Sequence, residues 1–204
     1  MLQGNHLMLI LKGGMMLTTT LRRIFWHLDV GAQWEALLRH LGKTQADDEP
    51  LPYSVILKVC GIDMALRCCR AEARYENEWV RFAVWCAEQV RDKMEDPRSI
   101  AALDLAARSL SETVPMDDRS VVADDAWRAE MQAGNHIAQD AARAASLLLN
   151  SHGARAAYTN ANIAWGLSGE RGRDQQFAKF LEIVSDHETQ QNVELVAHRN
   201  RDGQ

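Results

Sequence analysis

Read for apolar positions alone, the chain repeats every three to four residues over most of its length and alternates nowhere for long. The clearest stretch runs from Trp79 to Arg108. Trp79, Phe82, Ala83, Cys86, Val90 and Met94 recur on one helical stripe, and Val84 and Trp85 stand about 100° or more away from it. A helix over Glu76 to Glu95 is therefore expected to bury two faces. Asp96-Pro97 stops it and starts another: Asp caps, and Pro takes the first helical position, where its missing N–H costs nothing. Ile100, Leu103, Ala107 and Leu110 form the returning stripe. The spacing predicts a central α-hairpin, with Trp79, Phe82, Cys86 and Val90 facing Ile100, Leu103 and Ala107.

The same period predicts the other elements. Thr18-Thr19-Thr20 offer N-caps for a helix through about Asp29, and a second helix spans Ala32 to Leu41, ended by Gly42. A short helix from Ser54 to Cys60 stops at Gly61. Asp63 caps the next, which reaches about Arg74. Beyond a loop at Ser111–Asp118 alanine dominates, and helices are expected from about Val121 to Met131, Asn135 to Asn150, Ala154 to Leu167 and Arg173 to Val196. Small residues at helical spacing let axes approach towards ~8 Å. The fold class is all-α: a multi-helix bundle built on the hairpin, with an alanine-rich helical layer. Residues 1–16 read as an N-terminal extension or arm, 17–196 as one domain, and 197–204 as a frayed tail. The alanine shift near residue 115 is the alternative boundary, and the acidic loop Lys43–Pro52 is the best candidate linker.

Composition narrows the function classes. A chain of 204 residues suits one large domain or two small ones, and 47% hydrophobic with 25% charged residues is ordinary for a globule. The net charge of −5 leaves no global basic footprint, so duplex DNA is not an expected partner. Cys60, Cys68, Cys69 and Cys86 contain no C-x-x-C and read as reduced, half-buried thiols of a cytoplasmic protein. The apolar run Leu7–Leu11 ends at Lys12-Gly13-Gly14, short of the ~7–15 residues of a signal peptide or the ~20 of a membrane span. No membrane partner is expected. Met15-Met16 offer an alternative start that would leave residues 1–14 as an upstream extension; otherwise the run is a short strand or packing arm.

Few residues group as chemistry would require. Arg67, Arg70 and Arg74 fall at i, i+3 and i+7, one basic stripe on a helix, with Arg81 close in sequence. Such a stripe reads first as a solvated face, with Glu72, Glu76 and Glu78 as surface pairs; functionally it would hold a phosphate, a nucleic-acid backbone or an acidic protein face. Asp104, with Arg108 at i+4, reads as a structural pair locking the hairpin before it reads as a general base. His136, Asp140 and Arg143 share a helix face, and His152 would have to join them to make a metal site; two ligands are too few. Gly166, Gly169 and Gly172 beside Arg171 and Arg173 follow no strand, so a mobile inter-helix loop is the better reading than a phosphate cradle. Walker, G-x-S-x-G and H-E-x-x-H patterns are absent, and no cofactor or metal is called for.

Four segments carry a resemblance: Gly61 to Ala71 (G-I-D-x-A-L-x-x-x-R-A), Arg81 to Val90 with its F-A-V-W-C-A-x-Q-V core, Asp96 to Ala106 (D-P-R-S-I-A-A-L-D-x-A) and Phe180 to Ile183 (F-L-E-I). Over residues 54–184 the chain resembles an alanine-rich helical family of bacterial and phage proteins, similar in turn to immunity proteins encoded beside bacterial toxins. It departs from that family in the tail, where the Ala-Ala-Arg and Ala-Trp repeats are usually longer and more regular. The resemblance implies no catalytic residue. It implies a non-enzymatic inhibitor that occludes a protein target, either a toxin or a component of a defence system. The candidate partner-binding residues are Arg67, Arg70, Arg74 and Arg81, with Trp127 and Trp165 as aromatic anchors. A helical nucleotide- or nucleic-acid-binding protein using the arginine stripe is the alternative, an enzyme with a metal site assembled from distant residues comes third, and a homo-oligomer is left open.

Overall fold

The computed structural model describes residues 16–28 and 31–185. The apolar run Leu7–Leu11 and the tail from 197 fall outside them. Within the described residues the protein is an all-α bundle of nine helices: α1 (Leu21–His27), α2 (Ala32–His40), α3 (Tyr53–Cys68), α4 (Glu76–Glu88), α5 (Pro97–Arg108), α6 (Met116–Gln132), α7 (His136–Asn150), α8 (Gly153–Ser168) and α9 (Glu170–Ser185). A two-residue antiparallel pairing, β1 (Thr18–Thr19) with β2 (Leu51–Pro52), and three short 3-10 turns complete the regular structure among the described residues. Of the three threonines only Thr20 caps α1, its hydroxyl accepting from Arg23 N–H at 3.2 Å; the first two extend into β1. The loop before β2 is tied to α1, since Asp47 C=O accepts from Arg22 N–H at 2.9 Å. One hydrophobic cluster reaches from Leu17 to Val184 and draws on both sides of residue 115.

The hairpin signals act where they stand, and α4 and α5 touch, but each packs more on the alanine-rich helices than on the other. Asp96 caps α5 by accepting from Arg98 N–H at 2.9 Å, with Pro97 at the first position. α4 ends at Glu88 rather than Glu95, and Arg91–Lys93 form a 3-10 turn; Val90 and Met94 remain buried, so the apolar period outlasts the helix. α4 lies chiefly along α8, while α5 packs on α6 and α7. The reason is side-chain size. Ala154, Ala157, Ala161 and Ala164 bury a nearly flat face on α8, which lets α4 come close. Asn160 fastens the contact: fully buried, its Nδ2 donates to Ala83 C=O (3.2 Å) on α4 and Ala144 C=O (3.0 Å) on α7. Gln176, also buried, donates from Nε2 to Ala161 C=O at 2.8 Å and fixes α9 to α8.

The aromatic face of α4 meets a different partner from the one expected. Phe180 of α9 stacks on Trp79 with ring centroids 6.0 Å apart and meets Phe82 edge-on at 5.2 Å. Tyr53 of α3 closes the group against Trp79 at 5.0 Å. Both polar tips in this cluster are satisfied, as buried ring systems require: Tyr53 OH donates to Cys68 C=O (2.9 Å) and Trp79 Nε1 to Glu72 C=O (3.0 Å). Aromatic rings of this size carry the largest burial per residue in a core.

Two glycine expectations resolve differently. Gly61 takes φ +80° and ψ 176° within the α3 span, a conformation that L side chains rarely adopt, and divides it into two helical segments, as expected. The expected mobile loop Gly166–Gly172 does not exist: α8 runs to Ser168, Gly169 alone turns the chain at φ +74°, and α9 begins at once. Gly172 is buried in that corner, where an added Cβ would collide with the Ser168 side chain.

Candidate partner-binding surface

α6 starts earlier than its apolar period suggests, because Pro115 and the acidic first turn of Asp117 and Asp118 suit a helix N-terminus. Its buried residues are Ala123, Ala126 and Ala129. This small-residue stripe lets α5 and α7 approach, and it turns the large apolar side chains outward. Met116, Val121, Trp127 and Met131 are 78%, 62%, 55% and 52% exposed. At 100° per residue, Trp127 and Met131 lie about 20° and 60° round from Met116, one narrow row along the helix edge. Asp117 and Asp124 are exposed beside it and make no ion pair among the described residues, whereas Asp125 pairs with Arg128 at 2.8 Å.

Trp127 stands at a cleft of about 350 Å³ between α6, α7 and the start of α8, lined also by Asp124, Glu130, Arg143 and Arg155. Arg143 reaches Glu130 at only 3.9 Å, a loose pair. Asn150, at the end of α7, donates to Ala123 C=O at 3.2 Å and ties α6 to its neighbour. Trp165 is elsewhere. It lies in the last turn of α8 under the Arg173 guanidinium, 4.7 Å from its ring centre, and Arg173 itself pairs with Asp63 of α3. Arg155 and Trp165 are separated by about 15 Å of helix, so the two tryptophans do not form one surface.

The four arginines are not a helical stripe. Arg67 sits in the last turn of α3, Arg70 in a 3-10 turn over Cys69–Ala71, and Arg74 in another over Ala73–Tyr75. Between those turns the backbone of Glu72 is non-helical (φ −135°, ψ 78°), which breaks the expected helix. Arg74 is committed inward: it pairs with Glu72 at 3.0 Å, donates to Thr18 C=O at 2.9 Å and covers the Tyr75 ring. Arg67 is half-buried and Arg70 exposed, and neither pairs with an acid among the described residues; Arg81 is half-buried on α4.

Nor are two of the three nearby glutamates, Glu72 and Glu76, solvated surface pairs. Glu72 is fully buried, with one carboxylate oxygen held by Arg23 and Arg74, each at 3.0 Å, and the other without a hydrogen-bond partner. Glu76 accepts from Gly153 N–H and so caps α8 from α4. Asp104 pairs across the chain reversal with Arg91 at 2.8 Å, not with Arg108 as expected; it does lock the two helices, through the 3-10 turn.

His136 and Asp140 line a second groove, of about 560 Å³, with Thr159, Asn162 and Ile163. Arg143 belongs to the Trp127 cleft instead, and His152 lies beyond the opposite end of α7, so the proposed third ligand is absent from the group. Among the described residues no three His, Cys, Asp or Glu side chains converge as a metal ion would need. All four thiols are free; Cys68, Cys69 and Cys86 are buried rather than half-buried, and burial pushes each of them up. No described helix is long and apolar enough to cross a membrane.

Compared with known proteins, the chain matches no family model, no curated protein and no solved structure. The resemblance over residues 54–184 accordingly stands on its motifs.

Proposed function

We propose that this is a non-enzymatic protein that binds a protein target and occludes it, as a toxin-immunity or phage counter-defence protein does. The observation that carries this reading is the outward row Met116–Trp127–Met131 on an edge helix. A domain that buries alanines on a helix and exposes its Trp and Met side chains places its largest apolar contacts where a partner can cover them. Trp is also the residue type most enriched among binding hot spots, and Trp127 sits over a cleft that a partner side chain can fill. The inhibitory role comes from the family resemblance. The nucleic-acid alternative is less well served, since Arg74 is already held by Glu72 and Thr18.

Co-expression tests the reading. The toxin encoded nearest to this chain in its native genome is induced with and without the protein, and growth is followed. Wild type restores growth, and a Trp127→Ala/Met131→Ala variant with an unchanged thermal melt loses most of the protection. Equal protection by the variant removes the α6 row from the function. Equal growth arrest with wild type and with empty vector removes toxin neutralisation.

A further inference from the structure

The outer face of α6 also carries a charge pattern that restricts what can dock there. We infer that the partner presents a Lys/Arg-rich amphipathic helix, laid along the Met116–Trp127–Met131 row; this rests on the binding reading above. From Met116 to Met131 the row is about 22 Å long at 1.5 Å per residue, which matches four turns of one partner helix. It is one side chain wide, so it suits a helix stripe better than a broad flat interface. Round the helix from the row, Asp124 and Asp117 stand at about 80° and 100°, and Asp125 and Asp118 at about 180° and 200°. Arg128 is the basic residue on that arc, and Asp125 neutralises it at 2.8 Å. Asp117 and Asp124, both exposed and without an ion pair among the described residues, therefore line one flank of the apolar row, while Asp118 lies on the far side of the helix from Trp127.

Each part of that surface has a matching group on a basic amphipathic helix. Leu or Ile side chains cover the methionines, whose flexible thioethers adapt to irregular partners. Lys or Arg beside that stripe reaches the aspartates, and a cation can also lie over the open Trp127 ring. Other occupants fit less well. A second copy of this chain pairing α6 on α6 would bring the aspartates of one copy against those of the other. Nucleic acid and anionic lipid meet the same repulsion.

The test uses two labelled peptides of about 18 residues, a Leu/Lys amphipathic helix and its Leu/Glu twin, titrated against the full chain by fluorescence anisotropy. The Leu/Lys peptide should bind at least about tenfold tighter than the twin, and raising salt from roughly 50 to 300 mM should weaken it several-fold. Reversal by Asp117→Lys/Asp124→Lys should invert the preference; the milder Asn substitutions at the same positions should abolish it, which covers the event that the reversal fails to fold. Trp127→Ala should weaken the Leu/Lys peptide about tenfold or more. Equal affinity for the two peptides, or a preference untouched by the Asn variant, overturns the basic-partner inference; toxin protection still lost in the Trp127→Ala/Met131→Ala variant would then leave the binding function standing. A concentration-dependent dimer that dissolves on Trp127→Ala, or tighter binding to phosphatidylserine vesicles than to the Leu/Lys peptide, also overturns it.

Discussion

Gly153 donates its backbone N–H to the carboxylate of Glu76, joining the first turn of α8 to the first turn of α4 across 77 residues of chain. The contact leaves no room for a side chain. A Cβ at position 153 would lie 2.8 Å from both Glu76 C=O and Val80 Cγ2. Gly153→Ala should destabilise the fold by about 1–3 kcal/mol through overpacking, even though alanine is the better helix former. Urea denaturation checks it; an unchanged midpoint would mean that α4 and α8 sit further apart than described.

Phe82 and Phe180 should be coupled. Truncating either to Ala is expected to cost about 3–5 kcal/mol, and because the rings touch edge-on at 5.2 Å the double variant should cost less than the sum. Additive losses in a double-mutant cycle would show that Phe180 does not complete the α4 face.

Asp96 predicts a pH dependence. The Arg98 side chain, hydrogen-bonded to its carboxylate, holds that carboxyl below the usual range, and the Arg98 N–H adds to the effect. A depressed folded value stabilises above the unfolded value of about 3.8 and is lost as pH falls through the lower folded one. Asp96→Asn keeps the cap and loses the ion pair. It should trail wild type by under about 1 kcal/mol at neutral pH, and the gap should close as pH drops below about 4. Asp96→Ala should cost about 1 kcal/mol and retain a deficit in acid, since the cap itself is gone. Thermal melts between pH 2.5 and 7 separate the two.

The thiols should react in order. Burial pushes all four thiols up, but Cys60 is only partly buried while Cys68, Cys69 and Cys86 are fully so. Native protein at pH 8 should take up one equivalent of a maleimide within minutes, at Cys60, and four after denaturation. Rapid modification of two or more native thiols would place the end of α3 nearer the surface.

Most element types were legible because a 3.6-residue period and strong punctuation agree, as at Asp96-Pro97 and Asn135. Tertiary choices were not. In α6 the period counts Ala126 and Trp127 alike as apolar, so it cannot say which side turns inward; close approach by α7 favours the small side chains, and the tryptophan faces out. Glu72 and Asn160 show the same limit for polar residues. Glu72 lies among arginines and glutamates that read as a solvated face, and Asn160 lies on an alanine-rich helix. The groups that meet them, Arg23 together with the neighbouring Arg74 for the first and the distant carbonyls of Ala83 and Ala144 for the second, make burial tolerable. The arginine spacing failed for a local reason as well. Ala71-Glu72-Ala73 holds no helix breaker, yet the non-helical backbone of Glu72 there lets its carbonyl receive Trp79.

The union of Tyr53, Trp79 and Phe82 with Phe180 also sets a timetable for synthesis. Translation at about 5–20 residues per second puts roughly 5–20 s between the making of Phe82 and of Phe180. During that interval the aromatic side of α4 lacks its cover. The nascent chain is then a natural client for a holding chaperone, and slowing the ribosome between these two codons should lengthen that dependence.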